Sequence, residues 1–250
     1  MRFDGKVLIA TGAGSGIAAA TARQFASEGG RVAVIDRDHE RAADVAGDLQ
    51  GSIALACDVA DEDQVREAVA AAEQHFGRID CLVNAAGFHQ DGPIEGWSIE
   101  RLNRMLGVHV GGTFLFCKHV LPAIRAQASG SIVNVSSIAA LVAQPVNVAY
   151  GAAKGAILTL SRQLALDVAP KTRVNVVAPG RVRTGMTMPI LLELGHGDVD
   201  RGMAIAAEGV LQKRLAEPEE LAAPICFLLS DEASFITGSV LVADGGETAV

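Results

Sequence analysis

Thr11-Gly12-Ala13-Gly14-Ser15-Gly16-Ile17 follows directly on the apolar run 6–10 and opens the alanine-rich stretch 17–28. Run length makes the first a strand and the second a helix. Glycines in the turn between them let the backbone approach a pyrophosphate. The first turn of a helix adds free N–H groups and the positive end of its dipole. A glycine-rich turn alone is weak; set between strand and helix it points to a dinucleotide-binding turn. Asp36 ends the next apolar run, at the usual distance downstream. A carboxylate there can accept hydrogen bonds from both adenosine ribose hydroxyls and repels the 2′-phosphate of NADP. Arg37 beside it could greet such a phosphate, but the charge and position of Asp36 carry more weight.

The alternation continues outward. Runs 6–10, 31–35, 52–56, 79–83, 131–135, 173–177 and 239–242 predict strands. Stretches 17–28, 38–49, 62–76, 99–126, 148–168 and 218–230 predict helices. Strict β–α alternation implies a parallel sheet covered on both faces, doubly wound by right-handed crossovers. The expectation is an α/β Rossmann fold, one domain over residues 1–250, with a seven-stranded parallel sheet in the order 3-2-1-4-5-6-7. Residues 180–215 lack the pattern and predict one long irregular segment, with 181–215 as a substrate loop. Ligands of such sheets bind at the carboxyl edge. That edge brings Asp58 after the third strand and Asn84-Ala85-Ala86-Gly87 after the fourth into one crevice.

Half of the 250 residues are hydrophobic, enough to bury one sizeable core, and the net charge is −8. There is no basic block, so nucleic acid is not an expected partner. The apolar run 7–10 is too short for a signal-peptide core. The apolar stretch 132–160 is broken by Ser136, Gln144, Pro145, Asn147 and Lys154, so no membrane span and a cytoplasmic location are expected. Cys57, Cys81, Cys117 and Cys226 show no metal-ligand spacing. They are expected to be buried free thiols, and no metal site is expected.

Tyr150, the one tyrosine, and Lys154 stand i and i+4 on a predicted helix and share a face. On spacing alone such a pair is an ordinary surface pair. Ser137 closes the fifth strand. Taking a proton from an alcohol needs a base, and free tyrosine has a pKa of about 10. Lowering it by roughly three units takes about 4 kcal/mol, at most what one cation near ~4 Å supplies at an effective dielectric of ~20. Lys154 and a positively charged nicotinamide together would bring Tyr150 into range. Ser137 would hydrogen-bond the substrate oxygen.

From near its first residue to near its last, the chain resembles a short-chain dehydrogenase/reductase. The resemblance rests on Thr11-Gly12-Ala13-Gly14-Ser15-Gly16, Asp58-Val59, Asn84-Ala85-Ala86-Gly87, Ser137 with Tyr150-Gly151-Ala152-Ala153-Lys154, and Pro179-Gly180, in that order. It implies an NAD(H)-dependent oxidoreductase interconverting a secondary alcohol and a ketone. In that family role Ser137 orients the substrate, Tyr150 is general acid/base, and Lys154 lowers its pKa and holds the nicotinamide ribose. The implied cofactor contacts are Gly12, Gly14, Ser15, Gly16, Ile17, Asp36, Arg37, Asp58, Val59, Asn84, Ala85, Ala86, Gly87, Pro179 and Gly180. Val182 and Thr184 would meet the carboxamide, with hydride passing at the pro-S face.

The resemblance also implies a homotetramer, and helices 99–126 and 148–168 carry apolar positions on more than one side. Candidate pocket walls are Phe88, His89, Ala139, Leu141, Gln144, Asn147, Arg181, Met186, Met188 and Leu191. Gln144 and Met186 join Ser137 and Tyr150 as expected substrate contacts. Two positions depart from the family. Ala18 stands where a third glycine is usual. In Val108-His109-Val110-Gly111-Gly112-Thr113-Phe114, His109 stands where the family has an asparagine that helps hold a water behind the lysine. A histidine can donate, accept and titrate near neutrality, and Lys154 nearby should keep it neutral at pH 7. It is either a proton relay with its own shoulder in the pH–rate profile or a buried histidine satisfied by backbone. Two rival readings stand beside the main one. An NADPH-dependent ketoreductase is opposed by Asp36. A non-catalytic dinucleotide-binding sensor or scaffold is supported by His109 alone and opposed by Ser137, Tyr150 and Lys154.

Overall fold

The computed structural model describes residues 1–249. Its strands are β1 (Val7–Thr11), β2 (Arg31–Asp36), β3 (Ile53–Ala56), β4 (Cys81–Asn84), β5 (Gly130–Val135), β6 (Thr172–Pro179) and β7 (Val240–Ala243). They form one sheet in the order β3-β2-β1-β4-β5-β6-β7, and every pairing is parallel. β1, β4 and β5 are buried along their whole lengths, as central strands covered on both faces must be. The helices are α1 (Gly16–Ser27), α2 (His39–Gly47), α3 (Glu62–Phe76), α4 (Ile99–Leu106), α5 (Gly112–Arg125), α6 (Val148–Val168), α7 (Met188–Leu194), α8 (Val199–Ala207) and α9 (Pro218–Leu229).

Side chains alternate across a strand, and β1 shows what that does. Leu8 and Ala10 join Phe25 of α1, Val45 of α2 and Leu228 of α9 in one core. Val7 and Ile9 join Val65 of α3, Phe116 of α5 and Val168 of α6 in the other. Phe116 is fully buried; truncating such a ring costs about 3–5 kcal/mol. Asp38 caps α2 and Asp61 caps α3 by accepting backbone N–H bonds, which fixes where each helix starts after its strand. All four cysteines are buried and free, as expected. Among the described residues no helix is long and apolar enough to cross a membrane.

Two stretches differ from expectation. The helix expected over 99–126 is α4, a π-helical turn at Gly107–Gly111, and α5. Gly112 lies against Val59, and a Cβ there would come 2.6 Å from the valine Cγ2. The segment expected to be irregular over 180–215 contains α7 and α8, joined backbone to backbone. A Cβ on Gly195 would collide with the Asp198 carbonyl, and one on Gly202 with that of Leu191. Leu191, Ala206, Ala207 and Leu215 make a small core of their own. A bridge between Val182 and Ala216 closes the base of this excursion.

Candidate active site

The chain runs outward from β1 to β3 and returns to β4 beside β1, and ligands of such sheets bind outside the strand ends at that switch point. A cavity of about 520 Å³ opens there. Its lining takes Gly12, Ser15, Gly16 and Ile17 from the first turn, with Asp36 and Arg37 after β2 and Asp58 and Val59 after β3. Ala85, Ala86 and Gly87 enter after β4, and Ser137 after β5. Tyr150 and Lys154 come from α6, and Pro179, Gly180, Val182, Thr184 and Met186 from the end of β6 onward.

The cradle fits a nicotinamide dinucleotide. Gly12 has φ +65°, and a Cβ on it would come 2.7 Å from Ala86 Cα, so only glycine lets the ends of β1 and β4 approach this closely. Ser15, the N-cap of α1, makes no side-chain capping bond, and no acidic residue occupies the first turn. The N–H groups there are left for an anion. Asp36 Oδ2 accepts the Gly14 N–H at 3.1 Å, and Oδ1 accepts the Asp38 N–H at 3.0 Å. Two backbone donors thus set the carboxylate at the rim.

Four expected contacts lie elsewhere. Gly14 is outside the lining; a Cβ there would come 2.9 Å from Asp36 Oδ2, so it positions the carboxylate. Gln144, in the loop before α6, is outside it too. Asn84 turns into the core. Its Nδ2 donates to Asn134 Oδ1 at 2.9 Å, and Asn134 Nδ2 donates to Ser161 Oγ at 2.9 Å. His109 lies behind Gly87 and Phe88 rather than in the cavity wall. Arg41 and Arg104 line the cavity and escaped the sequence reading. Arg41 was within reach of it, three residues past the Asp38 cap and so one turn from Asp36. Arg104, 5.4 Å from the Phe88 ring centroid, is placed by tertiary packing alone.

α6 sets Tyr150 and Lys154 one turn apart. Lys154 is buried and donates from Nζ to the Val135 carbonyl at 3.0 Å. Burial pulls its pKa down to about 8. Burial pushes the Tyr150 hydroxyl up to about 12, and a Ser137 hydrogen bond opposes that. The expected depression by Lys154 is therefore absent in this geometry: the ammonium faces Val135 and sits 5.6 Å from the tyrosine ring centroid.

The π-helical turn aims His109 inward. Its ring stands edge-on to Tyr150, centroids 5.6 Å apart at 90°. Nε2 lies 2.9 Å from Phe88 O and 3.2 Å from Phe88 N. One tautomer can satisfy only one of these, and Nδ1 has no partner. Burial first and the Lys154 charge second pull the pKa down to about 3, with the Phe88 bond acting the other way. His109 is neutral at pH 7, as expected. A titration set that low lies below the pH range in which the expected shoulder would show. A Cβ on Gly87 would collide with this ring, so that glycine makes room for it.

Sheet order, turn and Ser–Tyr–Lys site define a short-chain dehydrogenase/reductase, and the chain belongs to that family. A family model described as enoyl-(acyl carrier protein) reductase matches residues 12–248. D-threitol dehydrogenase of Mycolicibacterium smegmatis is 40% identical over 253 residues, covering 99% of this chain and 94% of that protein. A human 3-oxoacyl-[acyl-carrier-protein] reductase is 40% identical over 243 residues, covering 96% and 97%. The ligand-free structure of Thermoplasma acidophilum aldohexose dehydrogenase superposes with TM-score 0.91 at 33% identity, covering 99% and 95%. The chain is thus an oxidoreductase of a family whose members include sugar and alcohol dehydrogenases and reductases.

Proposed function

We propose that the chain is one domain that uses NAD(H) to interconvert a secondary alcohol and a ketone, with residues 181–215 covering the substrate. The observation that supports this most is one cavity that joins a dinucleotide cradle, ending at Asp36, to Ser137, Tyr150 and Lys154. The bound cofactor supplies or accepts hydride. Tyr150 Oη exchanges the proton with the substrate oxygen, and Ser137 Oγ donates a hydrogen bond to that oxygen. Lys154 Nζ, released from Val135, holds the nicotinamide ribose and lowers Tyr150. A cation near ~4 Å at an effective dielectric of ~20 is worth about 4 kcal/mol, or roughly three pH units. That brings a hydroxyl at about 12 down to ~9. His109, neutral, packs behind Tyr150 without titrating.

Asp36 supports NAD, since a fixed carboxylate repels a 2′-phosphate. Arg37 and Arg41 line the same end and favour the second reading, NADPH. Exposed Phe114 on α5 and Val148 and Leu166 on α6 support a homotetramer. The proposed location is the cytoplasm. The test is a panel of secondary alcohols and ketones with NAD and NADP side by side. The expected result is a kcat/KM at least ~10-fold higher with NAD, about 1.4 kcal/mol. Equal values overturn the cofactor choice, and no turnover of any compound overturns the activity.

A further inference from the structure

Two loops meet beside Tyr150, residues 88–93 after β4 and 141–147 before α6, and two hydrogen bonds tie them. Gly92 N–H donates to the Val146 carbonyl at 2.9 Å. His89 Nε2 lies 2.9 Å from Asn147 Oδ1. The neighbours fix the polarity of the second bond. Asn147 Nδ2 donates to the Pro145 carbonyl at 3.2 Å, so Oδ1 is the end that meets His89. An amide oxygen only accepts, and the shared proton therefore sits on Nε2. That leaves His89 Nδ1 as a bare acceptor with no protein partner among the described residues.

The local structure gives up stability to hold this arrangement. Asn147 is the N-cap of α6 yet makes no capping bond. A capping asparagine ordinarily accepts a backbone N–H from the first turn; here the oxygen serves His89. Val146 has φ +54°, where a β-branched residue is strained. Neither feature stabilises the helix, and both set the height and direction of Asn147. The His89 ring in turn stands against Tyr150, centroids 5.0 Å apart at 68°. His89 is thus the imidazole beside the Tyr150 ring on the side of the 88–93 loop. The cavity lining reaches Phe88 and Met186, which offer no side-chain hydrogen bond of comparable strength, and stops one residue short of His89.

We propose that His89, oriented by Asn147, reads a second hydroxyl on the substrate and selects diols and polyols hydroxylated next to the reacting carbinol. This rests on the alcohol dehydrogenase reading above. A vicinal hydroxyl donates to Nδ1. The ester or thioester oxygen of a 3-oxoacyl compound has no proton to give and leaves the acceptor unpaired. The arrangement therefore discriminates between two chemistries that one Ser–Tyr–Lys site can serve.

The test compares kcat/KM for meso-2,3-butanediol with 2-butanol, and for acetoin with ethyl acetoacetate, in the full-length protein. The diol and acetoin should each be favoured at least ~10-fold, a difference of about 1.4 kcal/mol. His89→Phe keeps the ring against Tyr150 and removes the acceptor; Asn147→Leu removes the oxygen that orients it. Each should collapse the two ratios toward unity, and Asn147→Asp, which keeps an acceptor oxygen, should restore much of both. If the variants slow both members of each pair equally, the pair is structural and the assignment falls. If the unaltered protein uses 2-butanol as well as the diol, only this assignment falls. No turnover of any of the four removes the alcohol dehydrogenase reading and this assignment with it.

Discussion

Acid should destabilise this protein through one buried ring, that of His109. In an unfolded chain its imidazole titrates near ~6.5; in the fold burial and the Lys154 charge hold it to about 3. Between those values the unfolded state carries a proton that the folded state lacks. Stability is therefore full above ~6.5, falls as pH drops, and has lost this contribution by about 3. His109 is 1% exposed, so solvent screening does not reduce the effect. Lowering the pH to ~4.5 crosses roughly two units of the window, about 2.7 kcal/mol. At a urea slope of about 2–3 kcal/mol/M, the midpoint moves by about 1 M. His109→Asn removes the titrating group and leaves every carboxylate in place. Urea unfolding of both proteins at pH 7 and pH 4.5 should show the variant losing about 2–3 kcal/mol less than the parent. An equal loss in both would mean that His109 charges freely in the folded state, and the desolvation argument would fail. The same reasoning makes the kcat/KM profiles of the two proteins keep one shape from pH 5 to 10.

Tyr150→Phe keeps the ring between His89 and His109 and removes the proton carrier. Turnover should fall by about 10²–10⁴ while NADH fluorescence titrations stay close to the parent; turnover near the parent's would take Tyr150 out of proton transfer. Asp36→Ala should shift the NAD:NADP ratio of kcat/KM by about 10-fold toward NADP, and an unmoved ratio would remove Asp36 from cofactor selection. Gly87→Ala drives a methyl into the His109 ring and should cost about 1–3 kcal/mol in urea unfolding; an unchanged midpoint contradicts the close approach. Light scattering should give a mass near four times 25.9 kDa, and the single-chain mass at micromolar concentration would refute the tetramer.

The sheet was legible because its signals are local. Each strand is a short β-branched run, and each helix behind it is long enough to separate from a strand by length. The carboxyl edge follows from topology, which is why the sequence alone gathers Asp36, Asp58, Gly87 and Ser137. What sequence could not show depends on packing. α7 and α8 are short helices broken at Gly195 and Gly197, too brief to display a clear period. The π-helical turn left a trace in Gly107, Gly111 and Gly112, but glycines mark a break without giving its geometry. Asn84 reads as a cofactor contact in sequence because it adjoins Ala85, Ala86 and Gly87, which do line the cavity; which way a strand-end side chain faces is set by the pleat. Spacing puts Lys154 one turn from Tyr150 but does not show that its ammonium turns to the Val135 carbonyl, which leaves burial to push the hydroxyl up.

The hydrogen-bonded chain from the Asn84 amide through the Asn134 amide to the Ser161 hydroxyl has a consequence for alignment. The pairs next to them are apolar, Leu82-Val83 beside Ile132-Val133, and a slide of two residues would bury much the same apolar surface. Asn84 and Asn134 stand opposite each other in the pairing, both almost wholly buried. Sliding one strand would strand two amides in a dry interior, at about 1–3 kcal/mol each. One polar pair in the middle of the sheet thus acts as a key that admits a single alignment. Gly87 and Ser137, at the tips of those same two strands, reach the cavity at matching heights because of a bond buried beneath them.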